Sequence, residues 1–197
     1  MKSLNPFPEP LWKSKFPGRL DTIIKKIDAF ALDKDVTTKE LSGKSLQRYN
    51  FKDNPHEWGE LEQFNIWVGP FIEKVWKNWG CQLEEWQDLR FKSWVNYNDF
   101  GQHTGEHTHP NDVLTIVFYI AKPKDTAELQ ILDPLLYHWG NTPVGTNNTV
   151  FWRDVPAEVG EVVIFPGWML HRVDINESKE QRISITINIH IITKDSN

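Results

Sequence analysis

Residues 182–192 read Arg-Ile-Ser-Ile-Thr-Ile-Asn-Ile-His-Ile-Ile. Isoleucine takes every second position from Ile183 to Ile191, and polar residues take the places between. Side chains alternate faces along a strand, so this stretch can only be a long strand with one apolar and one polar face. The isoleucine face must be buried, and helices are the expected cover. The polar row of Arg182, Ser184, Thr186, Asn188 and His190 has two readings. It faces solvent, or it lines the interior of a rolled sheet, where an arginine persists only if something anionic pairs with it. Alternation does not choose between them.

The rest of the chain supplies both strands and helices. Residues 5–17 are punctuated by proline and are expected to run extended along the domain edge. Leu20, Ile23, Ile24, Ile27 and Phe30 recur at helical spacing. Residues 33–55 are polar and turn-rich, with a short helix expected around 39–48. Between about 58 and 79, Leu61, Phe64, Val68, Phe71, Ile72, Val75, Trp76 and Trp79 form one apolar stripe, ended by Gly80. Pro70 is expected to kink or split that helix. Short strands are then expected at 90–98, 106–109, 113–120, 128–132, 150–153, 161–165, 169–173 and 182–192, joined by Gly, Pro, Asn and Asp turns. This is an α+β, mainly β pattern, a sandwich or barrel with N-terminal helices packed on one sheet. The 197 residues suit a single domain, with 1–80 as helical support and 81–197 as the sheet core.

A net charge of −5 and a pI near 5.8 leave no basic footprint for nucleic acid. Cys81 is the only cysteine, so neither a disulfide within the chain nor a cysteine zinc site can form. No apolar run is long enough to span a bilayer, and the N-terminus holds prolines where a signal peptide would be helical. The expectation is a cytoplasmic protein with no membrane partner. A homodimer through exposed aromatic side chains is open but not derivable.

Chemistry concentrates in Gly105-Glu-His107-Thr-His109-Pro-Asn-Asp112, directly before the apolar run 113–120. If extended, His107 and His109 point the same way and can take adjacent corners of a metal's coordination sphere. Alone, a His-x-His pair is more often a surface feature. A second histidine motif follows in Phe165-Pro-Gly-Trp-Met-Leu-His171-Arg-Val173. Eleven residues on, Arg182 and Ser184 share a strand face and can grip one carboxylate with a guanidinium fork and a hydroxyl.

In this order the motifs resemble the 2-oxoglutarate and iron(II)-dependent oxygenases of the double-stranded β-helix (jelly-roll, cupin-like) fold. The nearest likeness is a branch common in bacteria and phages. Trp94-Val-Asn96, His107-Thr-His109-Pro-Asn-Asp112, Phe118-Tyr119, Asp133-Pro134, Phe165–Val173 and Arg182–Asn188 carry the resemblance, over roughly residues 88–192. It implies iron(II), 2-oxoglutarate and O₂, with decarboxylation to succinate coupled to oxidation of a small-molecule or peptide substrate. It puts His107 and His171 at the first and last metal ligands, and Arg182 with Ser184 on the distal carboxylate. Tyr119 and Asn96 are further donors. No catalytic group beyond the metal ligands is implied.

One departure stands out. Most of the superfamily has a carboxylate where this chain has His109. His109 on the face of His107 is the favoured third ligand, Asp112 the reserve, and Glu106 or Asp133 remote alternatives; His109 as a residue outside the ligand set also stays open. Competing functions are a cupin-like three-histidine metalloenzyme that does not use 2-oxoglutarate, and a non-catalytic jelly-roll binding module. His103 and His138 are expected in loops, with His138 a candidate for lining a substrate pocket. His56 and His190 are expected to be structural or solvated, Asp133-Pro134 to form a turn, and Arg172 to be exposed on the face opposite His171. The substrate itself is not legible.

Overall fold

The computed structural model describes residues 11–33, 37–40, 46–49, 54–78, 87–133 and 152–193. His138, Gly80, Cys81, Pro134 and the loop 142–148 lie outside them. Eleven strands and two α-helices occur among the described residues: β1 (Trp12–Lys15), α1 (Asp21–Leu32), β2 (Thr37–Glu40), β3 (Leu46–Tyr49), α2 (Glu62–Asn78), β4 (Gln87–Asn98), β5 (Thr104–His107), β6 (Asp112–Ala121), β7 (Leu129–Leu132), β8 (Trp152–Val155), β9 (Glu161–Pro166), β10 (His171–Val173) and β11 (Arg182–Thr193). They form a seven-stranded sheet, in the order β1-β9-β6-β11-β4-β3-β2, and a four-stranded sheet, β5-β10-β7-β8. Every pairing is antiparallel. This is the expected jelly roll.

Strand β11 is central to the large sheet, and its two faces have different fates. Ile185, Ile187 and Ile189 join Val95, Leu114, Ile116, Phe118 and Ile164 in one core with Ile23, Ile27 and Phe30 of α1 and Phe64, Val68 and Val75 of α2. The helices therefore cover the isoleucine face, as the alternation requires. Phe64 stacks on Phe118 at 4.2 Å, which ties α2 directly to β6. The opposite face meets the small sheet across a second core, in which Val117, Val163 and Phe165 face Leu129, Ile131 and Val173. Arg182, Ser184, Thr186 and Asn188 lie in that interior, all buried. Of the two readings of the polar row, the interior one holds.

Several local expectations change. The short helix placed around 39–48 is instead the hairpin β2–β3, whose register runs Thr37↔Tyr49 to Glu40↔Leu46. Strand β4 would otherwise leave its edge open, and pairing Leu46 with Tyr97 covers it. Three short strands from the first 80 residues thus join the large sheet, so that region is not only helical. The helix expected from 58 begins at Glu62, after two 3₁₀ turns at Pro55–Glu57 and Gly59–Leu61. Pro70 lies inside α2 without splitting it. The helix is held by buried residues on both sides of the proline, Phe64 and Val68 before it and Val75 after it. Among the described residues no helix is long and apolar enough to cross a membrane.

Candidate metal and 2-oxoglutarate site

His107 ends β5, His171 begins β10, and the two are direct cross-strand partners. Their rings lie 4.2 Å apart. Each ring is fixed in the same way: Nδ1 of His107 meets the carbonyl of Gly105 at 2.8 Å, and Nδ1 of His171 meets that of Met169 at 2.8 Å. A carbonyl only accepts, so both Nδ1 atoms carry the hydrogen, and both Nε2 lone pairs are free to bind a metal.

His109 arrives differently from the expectation. Strand β5 stops at His107, because Pro110 and Asn111, with φ of 70°, turn the chain. His109 therefore lies past the strand, where alternation does not place it. A backbone clamp does so instead: its N–H donates to the carbonyl of Gly167 at 2.8 Å, and its own carbonyl accepts from Asp112 N–H at 3.1 Å. The ring comes to rest 5.0 Å from those of both His107 and His171. One ligand atom from each of the three histidines falls within 4.8 Å of the others. Burial lowers the pKa of all three, His171 well below the ordinary 6.5 and His109 to about 4; the neighbouring imidazoles add to the effect on His109 and His171. They are neutral at physiological pH, the form that binds metal.

No carboxylate joins this group among the described residues. Asp112 accepts from Asn188 Nδ2 at 2.6 Å and meets His190 Nδ1 at 3.3 Å. Glu106 points outward to Arg172, at 3.3 Å, and Asp133 is buried against Arg153, at 2.7 Å. Asp133, expected in a turn and carried as a remote alternative ligand, is thus one half of a partly buried ion pair. His190 lies beside Asp112 on the large sheet and takes no part in the histidine group. His56 is structural, its Nδ1 2.7 Å from Ser93 Oγ. Arg172 does face away from the cavity, but it lies over the Trp152 ring at 4.3 Å and is not free in solvent.

The histidines line one end of a cavity whose walls include Trp94, Asn96, Thr115, Val117, Thr186, Ser184 and Arg182. Arg182 is 2% exposed and Ser184 1%. The guanidinium sits 5.2 Å over the ring of Tyr119. Among the described residues no acid pairs with it; its one hydrogen bond goes from Nη1 to Asn98 Oδ1, at 3.2 Å. Its Nε and the hydroxyl of Tyr119 make no well-formed hydrogen bond among the described residues, although the guanidinium is close enough to act on the phenol. Burial raises the Tyr119 pKa despite the nearby cation, so the phenol keeps its proton. A buried cation with an idle donor beside an idle phenol fits an incoming carboxylate. Asn96 lines the wall, accepting from Trp94 Nε1 and donating to Thr186 Oγ1. Asn98, the residue that orients Arg182, escaped the sequence reading. Its signal was there: two positions past Asn96 it shares that residue's face.

A family model described as "Putative 2OG-Fe(II) oxygenase" matches residues 92–188, a span that holds all three histidines and the buried arginine. The chain belongs to the 2-oxoglutarate and iron(II)-dependent oxygenases. It is accordingly an oxidoreductase that uses iron(II), 2-oxoglutarate and O₂. Similar solved structures carry the same fold. A prolyl-4-hydroxylase from Pseudomonas putida shares 13% identity over 92% of this chain and 93% of that one, with a TM-score of 0.65. The epimerase SnoN, in complex with Fe3+, alpha ketoglutarate and nogalamycin RO, shares 11% over 94% and 82%, with a TM-score of 0.63. A prolyl hydroxylase from Trichoplax adhaerens, in complex with a hypoxia inducible factor peptide fragment, shares 10% over 92% and 84%, with a TM-score of 0.60. No curated protein matches the chain.

Proposed function

We propose that His107, His109 and His171 hold the iron, and that Arg182, Ser184 and Tyr119 hold the distal carboxylate of 2-oxoglutarate, in an enzyme that hydroxylates a small-molecule or peptide substrate. The observation that carries this reading is one cavity joining three neutral imidazoles at one end to a buried arginine at the other that has no acid partner among the described residues. Iron(II) with 2-oxoglutarate supplies the chemistry, oxidative decarboxylation to succinate coupled to attack on a C–H bond. The chain's own groups bind and orient. His107 and His171 are pre-set by their carbonyl partners, and His109 by the Gly167 clamp. Asn98 aims the guanidinium, Ser184 and Tyr119 add hydroxyl donors, and Asn96 with Thr186 forms the polar wall between the two ends. Val117, Leu129 and Val173 line the same cavity and keep water out.

A three-histidine enzyme that ignores 2-oxoglutarate would have no use for Arg182 at this depth. A pure binding module would need neither end. The described sheets and helices are read as one domain, and the low cysteine use, one in 197 residues, supports a cytoplasmic location. The test is succinate formation from 2-oxoglutarate by iron-loaded protein in air. Release that needs both iron and O₂, and is lost in Arg182→Ala, is expected; release that survives in that variant would defeat the carboxylate assignment.

A further inference from the structure

We propose that the substrate is an organic anion whose negative group seats on Lys92 and Arg90, the cationic continuation of the cavity wall beyond Trp94. The proposal rests on the metal and 2-oxoglutarate assignment above and adds the substrate's chemical class.

The argument starts from register. Strands β4 and β11 pair without a bulge from Arg182↔Asn98 to Thr193↔Gln87. Directly paired residues share a face, so Asn98, Asn96, Trp94, Lys92 and Arg90 form one row beside Arg182, Ser184, Thr186, Asn188 and His190. The deep half of this double row is the site. The cavity lining ends at Trp94 and Thr186, and Trp94 lies 5.7 Å from the His109 ring. The strands of the small sheet have three or four residues and cannot cover a twelve-residue strand. On β4 the row therefore reaches solvent at Lys92, while its β11 partner Asn188 stays buried.

What emerges is cationic. Lys92 and Arg90 are both exposed, and neither makes an ion pair among the described residues. The acids on this face are accounted for. Asp112 accepts from Asn188 and is turned in beside His190, and Asp88, at the far end, accepts the Leu89 N–H and lies one repeat beyond Arg90, on the side away from Trp94. On a chain of net charge −5, two unpaired cations at the mouth of a site focus an attractive potential on anions. At roughly 7 Å per two residues, Lys92 lies about 7 Å and Arg90 about 14 Å along the strand from Trp94. A substrate with an apolar or flat body against Trp94, and a carboxylate or phosphate one or two repeats away, matches this spacing.

The test uses protein loaded with manganese(II), a paramagnetic stand-in for iron, and saturated with 2-oxoglutarate. Proton relaxation is measured for 4-phenylbutyrate, its uncharged amide 4-phenylbutyramide, and phenyl phosphate. An enhancement at least five-fold greater for an anionic probe than for the amide, lost in Arg90→Glu/Lys92→Glu and reduced in the milder Arg90→Gln/Lys92→Gln, is expected. Which anion responds tells carboxylate from phosphate. Equal enhancement by acid and amide, or enhancement that persists after charge reversal, overturns the proposal. Failure of the unaltered protein to take up metal and 2-oxoglutarate overturns the underlying site assignment instead, and this proposal with it.

Discussion

His107 and His171 face each other in register across β5 and β10, rings 4.2 Å apart, each with Nδ1 tied to a carbonyl two residues upstream. Two of the proposed ligands, far apart in sequence, are thereby aimed by the backbone alone. The third is not built into the ladder. His109 is delivered by a turn whose geometry depends on Gly167 and on the anchored side chain of Asp112.

That difference predicts separate outcomes for His109 and Asp112. His109→Ala should remove a ligand and lower iron stoichiometry to near zero at micromolar iron. Asp112→Ala should leave the ligands in place but loosen the turn, weakening iron binding by roughly 10–100-fold. Iron analysis after desalting checks both; a greater loss in Asp112→Ala than in His109→Ala would exchange their roles.

Arg182 should matter to the co-substrate and not to the metal. Replacing it with Ala removes the buried cation, and the KM for 2-oxoglutarate should rise about 100-fold or more, on the order of 3 kcal/mol, at unchanged iron content. Steady-state succinate assays with parallel iron analysis provide the check.

Gly167 is a position where only glycine fits. A Cβ there would collide with the carbonyl oxygen of Asp112 and lie 3.0 Å from that of His109, both backbone atoms that cannot swing aside. Gly167→Ala should destabilise the fold by about 1–3 kcal/mol and weaken iron binding through His109. Thermal melting and iron titration of the same sample test the pair of effects.

The metal-free protein should be acid-sensitive in a defined window. Burial holds the pKa of His109 at about 4, against the ordinary 6.5, so between these values the unfolded chain binds the proton and the folded one does not. Stability is thus full above pH 6.5 and lost as pH falls toward 4, by on the order of 2–3 kcal/mol from His109 alone. His107 and His171, shifted the same way, deepen the loss. Denaturant titrations across this range should show it, and His109→Gln should flatten it.

Much of this was legible in the sequence because it depends on local period and spacing. The isoleucine alternation of β11 dictated a strand with a buried face, and the helical stripes of α1 and α2 supplied its cover. What the sequence did not reveal was set by tertiary contacts. The β2–β3 hairpin forms because β4 has an edge to fill. His109 reaches the site through a turn clamped by a glycine distant in sequence, where strand alternation would have placed it for another reason. Whether the polar row of β11 faced water or the interior depended on the small sheet, which no residue of β11 encodes. Asp112 looked like a spare ligand until Asn188 and His190 were seen to hold it.

The most direct measurement is anaerobic addition of 2-oxoglutarate to the iron(II)-loaded protein, followed in the visible region. Direct chelation of the metal by the 2-oxo acid should produce a weak charge-transfer band, absent in His171→Ala and, at the same 2-oxoglutarate concentration, in Arg182→Ala. A band that persists in both variants would contradict the account.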